Sequence, residues 1–410
     1  MPEHAPRPAS PNAALRRLPR AFTLVELLLS VTLLVIIIAI VVQITNQTSN
    51  IWLSSTARIQ SFQESRAGFE AMTRKLSQAT LNTYYDYYNS ANQARSQVTV
   101  GLSGTTALNA LSAFIPATYD RYSDLHFISG AANVFQLQTS GTVATPIATQ
   151  TQAVFFQAPL GYSASSSYQH LDNALNACGY FLRFDSANSS VPPHILNSPG
   201  YKPRYRFRLM EMDQPTEQLT VYSGIASPNA WFVQNAVSNS RVIAENVIAL
   251  VLLPKLPASQ DDPTQAGKGV SLAPNYNYNS RITPNAATDS SWPSANPAFP
   301  GDTFTTTTIS GSASAGSRHS QLPPMMRLVM VVIDETSAAR IQGSGTTPPS
   351  AINLNTTTLF TDATQLDADI QSVEDICNAR PGNLTGNTVR LTHRVFSTDI
   401  IMRDAKWSNN

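Results

Sequence analysis

The chain has 410 residues, with 27 Lys and Arg against 26 Asp and Glu, a net charge of +1 and 13% charged residues. Soluble domains usually carry ~25% charged residues, so Asn, Gln, Ser and Thr supply much of the polarity here. The even charge balance offers no basic surface of the kind that nucleic acid requires, and the length admits one large domain or two.

Residues 1–21 are rich in Pro and Arg, with Arg7, Arg16, Arg17 and Arg20 against the lone acid Glu3. They lack the apolar core of a secretory signal, which would precede its cleavage site. The apolar run instead follows, from Ala21 to Val42, AFTLVELLLSVTLLVIIIAIVV, with Glu26 as its one charge. Roughly 20 such residues at ~1.5 Å each match a hydrocarbon core of ~30 Å. Positive charge ahead of the run keeps the N-terminus cytoplasmic and the bulk of the chain outside. A charge at the centre of a membrane helix costs about 2.5–3.5 kcal/mol, so Glu26 calls for a partner. A cut after Ala21 would supply one, because Phe22 would then carry a free α-amino group four residues before Glu26. An uncleaved signal anchor is the plainer alternative.

The stretch Arg20-Ala21-Phe22-Thr23-Leu24-Val25-Glu26 with its apolar continuation resembles the prepilin N-terminus of type IV pilins and type II secretion pseudopilins. Their pattern is a short basic leader, a small residue, then Phe-Thr-Leu-x-Glu and an apolar stretch. Ala21 stands where the family mostly has Gly. The resemblance implies a prepilin peptidase that cuts between Ala21 and Phe22 and methylates the Phe22 amine. It also implies an assembly role for Glu26, paired with the amine of a neighbouring subunit.

After Val42 there is no Pro before Phe114, and Gly68 is the one Gly before Gly101. Apolar residues at Trp52, Ile59, Phe62, Phe69, Met72 and Leu76 form one stripe of an amphipathic helix. One helix is therefore predicted from Phe22 to about Leu81, its first half in membrane and its second half packed under a globular body. Tyr84, Tyr85, Tyr87 and Tyr88 are expected to cover the seam between helix and body. Strands are predicted at Asp124–Ile128, Val154–Gln157, Tyr180–Phe184, Tyr205–Met212, Gln218–Tyr222, Val242–Leu253, Met326–Ile333 and Arg394–Met402. In Arg204 to Leu209, arginines alternate with apolar residues, as in a half-buried antiparallel strand. The longest Ser, Thr, Asn, Gly and Pro tract runs from about Pro257 to Pro324, with Thr305 to Thr308 and Ser310 to Ser320 nearly free of large apolar residues, and long surface loops or local disorder are expected.

Later segments extend the resemblance. Glu245 to Leu250, Leu322-Pro323-Pro324 leading into Met325 to Val331, and Arg394 to Ile400 follow the order of strands in J-type minor pseudopilins. Leu76 to Tyr84, Cys178-Gly179-Tyr180-Phe181, Arg206 to Glu211, Asn246 to Pro257, Ile333-Asp334-Glu335 and Ala405-Lys406-Trp407 resemble the protein C family of the Verru_Chthon cassette. That family carries a fold and a compartment but no established biochemical role.

The chemistry-bearing residues are scattered. His4, His126, His170, His194, His319 and His393 form no helical metal pair and no Cys/His spacing. No phosphate loop, G-x-S-x-G elbow or His-Glu-x-x-His is present in the sequence. Asp261, Asp262, Asp367, Asp369, Glu374 and Asp375 lack the spacing and turn glycine of an EF-hand, and read as solvated acidic surface. Cys178 and Cys377 fit no metal spacing. Outside the cytoplasm they form one disulfide or stay as two buried thiols, and both readings stand.

The expected fold is α+β and pilin-like, a long N-terminal helix packed on an antiparallel sheet with long polar loops. Residues 1–21 would be the leader, 22–42 the membrane half of the helix, 43–82 its amphipathic continuation, and 83–410 an extracytoplasmic β-rich body. The expected function is a non-catalytic minor subunit of a type IV pilus-like or type II secretion-like assembly, with no catalytic, metal or cofactor site. Its partners would be a prepilin peptidase, other pilin-like subunits and the inner membrane, with no nucleic acid and no small-molecule substrate. It would span the inner membrane once, with a periplasmic body, or enter a fibre. The alternative is a stand-alone envelope protein that binds a glycan or a secreted partner.

Overall fold

The computed structural model describes residues 23–406 apart from 92, 140–145, 169, 187, 189–190, 223–228, 235, 258–268, 282–319 and 343–345. The leader, Ala21, Phe22, Asp261 and Asp262 lie outside the described residues, as does most of 257–324. The chain divides into two compact units, residues 1–56 and 57–410, and the division falls within one helix, α1 (Leu24–Leu76).

In the first unit, the large apolar side chains from Leu24 to Ile44 are exposed. α1 contains a window apolar and long enough to cross a membrane, and none of that window is buried by protein.

In the second unit α1 is followed by β1 (Tyr84–Tyr88), α2 (Arg95–Val98), α3 (Gly104–Ser112), β2 (Thr118–Tyr122), β3 (Ile128–Ala131) and β4 (Thr149–Pro159). Then come β5 (Leu175–Ser186), α4 (Pro193–Leu196), β6 (Tyr205–Gln214), α5 (Ala230–Val233), β7 (Ser240–Glu245) and β8 (Val247–Lys255). The last elements are β9 (Tyr278–Asn279), β10 (Met325–Ile333), α6 (Glu335–Ile341), α7 (Leu366–Cys377) and β11 (His393–Ile401). Among the described residues these strands form a ribbon β1-β2, a three-stranded sheet β11-β10-β8 and a six-stranded sheet β7-β6-β5-β4-β3-β9. All strand pairs are antiparallel. The class is α+β.

The architecture follows from β8 and β10. Both are almost continuously apolar, VIALVLLPK and MMRLVMVVI, so neither face of their sheet suits water. One face, with Leu250, Leu252, Leu328 and Met330, shares a core with aromatic residues of β4 and β5 and with Phe62, Phe69, Met72 and Leu76 of α1. The other face, with Val251, Leu253, Val329 and Val331, is covered by Ala338 of α6 and by Val373, Ile376 and Cys377 of α7. Asp334 starts α6 by accepting the Ser337 N–H at 2.9 Å, which satisfies a donor that the first turn leaves open.

Several expectations need correction. The helix stripe is buried only from Phe62 onward, and Trp52 and Ile59 are exposed. Val242–Leu253 is two strands, because Asn246 at φ 61° carries the chain out of the six-stranded sheet and into the three-stranded one. Asn tolerates that left-handed backbone better than most residues. The arginine face of β6 is not solvated. Arg206 and Arg208 are buried, and Glu335 and Glu245 cover them. Asp124–Ile128 and Gln218–Tyr222 are turn and coil for most of their length. The stretch 269–281, read as loop, is largely buried and supplies β9. Its Leu272, Tyr276 and Tyr278 are few but all inside.

The two cysteines settle as thiols. Cys178 on β5 and Cys377 at the end of α7 are free, buried and in different cores, so the disulfide alternative does not hold.

Gly179 on β5 lies directly opposite Phe155 on β4, and a Cβ there would fall on the Phe155 ring. Gly179→Ala is expected to destabilise the second unit by about 1–3 kcal/mol through overpacking. A urea unfolding midpoint equal to wild type would refute that close approach.

Candidate functional site

The first candidate is the N-terminal turn of α1. Glu26 is exposed in that turn, and its N–H donates to Thr23 O at 3.0 Å and Thr23 Oγ1 at 3.3 Å. Its carboxylate has no hydrogen bond or ion pair among the described residues. The proposed amine partner, Phe22, and the cut site at Ala21 lie outside them.

The second is the set of polar contacts that holds the end of α1 on the body. Arg58 Nε donates to Asp334 Oδ2 at 3.1 Å, which joins α1 to the residue that caps α6. At the other end, Lys75 Nζ donates to Asp213 Oδ2 at 2.6 Å and lies 3.1 Å from Glu211 Oε1. Cys178 pairs directly with Asp213, and Tyr180 with Glu211, in the β5–β6 register, so these four side chains share one sheet face. Tyr180 OH donates to Glu211 Oε1 at 2.6 Å, and Cys178 Sγ donates to Asp213 Oδ1 at 3.2 Å. Arg241 of β7 closes the cluster through Nε at 2.8 Å and Nη2 at 2.5 Å to Glu211 Oε2.

Burial pushes the Glu211 carboxyl up, but the Tyr180 hydrogen bond together with Lys75 and Arg241 outweighs it. The carboxyl therefore sits below its ordinary value. Burial pushes Lys75 down, and Asp213 and Glu211 more than offset that. Burial, reinforced by Asp213, pushes the Cys178 thiol well up, which keeps it a thiol. Above the cluster opens a cleft of about 720 Å³ lined by Arg74, Lys75, Gln78, Tyr162, Asp213 and Arg241 among others.

The third is the β1-β2 ribbon. Its register places Tyr85, Tyr87 and Tyr119 on one face, all exposed, with ring centroids 5.4 Å apart for Tyr85–Tyr119 and 5.0 Å for Tyr87–Tyr119. Tyr84, Tyr88 and Tyr122 share the other face, where Asp86 Oδ2 accepts the Ser96 N–H of α2 at 3.0 Å. Burial, then Asp124, pushes Tyr122 up to about 12. Of the four tyrosines expected to cover the helix seam, Tyr88 alone is buried. The sequence signal for the ribbon was the second aromatic run, Tyr119 and Tyr122, which pairs with the first.

The remaining residues with reactive side chains serve the interior or the surface. His126 is fully buried, its Nε2 2.8 Å from Asn279 Oδ1, and Trp231 Nε1 donates to its Nδ1 at 3.3 Å. Burial and the nearby Arg281 hold it well below the ordinary histidine value, so it stays neutral. His170 and His194 are exposed, and His4 and His319 lie outside the described residues. Asp369 of α7 accepts the Phe360 N–H at 2.8 Å, and Asp375 pairs with Arg380 at 2.9 Å. Among the described residues no group of three or more His, Cys, Asp or Glu is placed to hold a metal ion.

No family model matches this chain, and searches of curated proteins and of solved structures find no match either.

The Lys75 cluster makes a pH prediction. Glu211→Gln is expected to cost about 2 kcal/mol at pH 7, less than the ~3–5 of a fully buried broken pair, because the Arg241 side chain is 67% exposed. A carboxyl held below its ordinary value contributes fully above pH 4.5, and its contribution fades as pH falls through the lowered folded value. The gap between wild type and variant should therefore close in acid. Urea titrations that show a constant gap from pH 7 to pH 3 would contradict the cluster.

Proposed function

We propose that this chain is a non-catalytic, membrane-anchored minor subunit of a type IV pilus-like or type II secretion-like envelope assembly. The observation that carries the reading is the N-terminal segment. A prepilin-like Ala21-Phe22-Thr23-Leu24-Val25-Glu26 leads into a helix whose large apolar side chains from Leu24 to Ile44 are exposed, and Glu26, the one acid of that stretch, has no partner among the described residues. A body that joins the C-terminal part of this helix to antiparallel sheets is compatible with a pilin-like subunit. On this reading a prepilin peptidase cuts before Phe22 and methylates it. Glu26 then pairs with the Phe22 amine of a neighbouring subunit, as the apolar helices leave inner-membrane lipid for a helix bundle. The body lies on the periplasmic side.

A minor, capping position follows from size. A compact body of about 330 residues has a radius of gyration of roughly 20 Å, against ~10 Å for the diameter of one helix. Repeating subunits stack at small axial steps, so heads this wide would collide, whereas a subunit placed once at an end avoids the crowding. The exposed tyrosines of β1 and β2 favour the second reading, a stand-alone envelope binding protein for a glycan or secreted partner. Co-purification with other pilin-like subunits separates the two.

Intact mass of the membrane form should show a chain that begins at N-methylated Phe22, and retention of Met1 would overturn the prepilin reading. Glu26→Ala should still be cut and inserted but should enter the assembly poorly. Equal incorporation of this variant and wild type would remove the pairing role.

A further inference from the structure

The three-stranded sheet treats its two edges differently. On β8, groups not bonded to β10 are met by side chains from the irregular stretch of β4. Gln150 Nε2 donates to Ile248 O, Thr151 Oγ1 accepts the Leu250 N–H at 3.0 Å, and Gln152 Oε1 accepts the Leu252 N–H at 2.5 Å. Both glutamines are buried. Three outward groups of this edge are thereby bonded within the chain.

β11 forms the opposite edge. Its nine-residue register with β10 is unbroken, from Met325↔Ile401 to Ile333↔His393. Bonds just beyond each end fix the parity. Met402 N–H donates to Pro324 O at 3.1 Å, and Asp334 N–H donates to Thr392 O at 3.0 Å. Even-numbered residues of β11 therefore exchange bonds with β10, and His393, Val395, Ser397, Asp399 and Ile401 aim their N–H and C=O groups away from the sheet. Among the described residues, no group bonds to these outward donors and acceptors. Natural edges are blunted by shortness, Pro, charged side chains (Lys above all), bulges or a covering segment, and β11 carries two charges, Arg394 and Asp399. This strand is long and has no Pro, Lys or bulge. Ser397, Asp399 and Ile401 are exposed.

One charge on this edge is unmatched. Asp399 is paired with Arg327 at 3.4 Å. Arg394 lies over the Phe62 ring, 5.5 Å from its centroid, and has no ion pair among the described residues. Its side chain is on the same face as Phe396, whose ring lies tilted against Phe69 of α1 with centroids 5.7 Å apart.

We propose that the outer edge of β11 takes an extended strand from another subunit of the same assembly, by β-augmentation. Main-chain bonds to the five outward residues supply the affinity. Side chains supply the selection, a carboxylate opposite Arg394 and an apolar residue beside Phe396. The inference rests on the assembly reading above, because it needs a neighbouring subunit.

The test is residue-resolved amide exchange on the full chain, in its membranes and as detergent-extracted monomer. In membranes the amides of Val395, Ser397, Asp399 and Ile401 should slow by roughly 10-fold or more, while the even-numbered amides stay slow in both states. Arg394→Glu should abolish the slowing at odd positions and leave the even positions unchanged. A chain that co-purifies with other subunits but shows no slowing at odd positions overturns this inference alone. A chain that co-purifies with none overturns the assembly reading and this inference with it. Equal slowing at odd and even positions would mean burial of a face, and a Ser397→Cys cross-link to a second copy would mean self-pairing. Either result overturns the proposal.

Discussion

The second unit depends on one constraint: the sheet at its centre must be dry on both faces. β8 and β10 offer almost no polar position, and the apolar residues of β10 divide between the two cores. A single cover would leave half of them in water, at about 25 cal/mol per Å² of apolar surface. The fold therefore needs two covers. α1 and the six-stranded sheet close one side, and α6, α7 and the short turns around them close the other. The six-stranded sheet is tied to this centre by the chain itself, through Asn246 between β7 and β8, and Asn246 Nδ2 also donates to Glu335 Oε2 at 2.9 Å.

Apolar contact alone would let these layers slide, and buried polar groups fix where they sit. Gln150 shows how. Its Nε2 donates to Ile248 O, and its Oε1 accepts the Leu354 N–H at 3.0 Å, so one side chain joins β4 to β8 and to the turn beyond. The ion pairs do the same for α1 and α6. A buried ion pair adds little net stability, because desolvation cancels most of the attraction. A misplaced one is costly, since it leaves a bare charge inside. Arg206 between Glu335 and Gln342, and Lys75 between Glu211 and Asp213, therefore select one arrangement over near neighbours.

Elements that announce themselves within a few residues were legible in the sequence. The long helix was clear from its lack of Pro and its apolar spacing, and β10 and β11 were clear from continuous or alternating apolar runs. What escaped reading depended on distant partners. β9 was hidden in a polar tract because two residues suffice when Ile128 and Ser129 of β3 wait to pair with them. The arginines of β6 look solvated in the sequence, since Glu335 and Glu245, which cover them, are 129 and 37 positions away from Arg206 and Arg208 respectively. The split at Asn246 left only the polar pair Glu245-Asn246 in the sequence, too short a break to show that the backbone changes hand there. Of the candidate sites, the acid at Glu26 was visible as an anomaly in its run. The Lys75 cluster was not, as it gathers α1, β5, β6 and β7 around one sheet face.

The apolar part of α1 obeys the same physics with the opposite outcome. Sixteen large apolar side chains between Leu24 and Ile44 remain about half or more exposed. At about 1 kcal/mol forgone for each, the deficit in water is on the order of 15 kcal/mol. That matches or exceeds the whole stability of about 5–15 kcal/mol typical of a domain. Glu26, whose burial costs only a few kcal/mol on insertion scales, cannot reverse the balance. The segment is therefore driven out of water into lipid or against other apolar helices. A single acid costs little enough to be carried along, and enough to favour whichever of those surroundings offers it a cation.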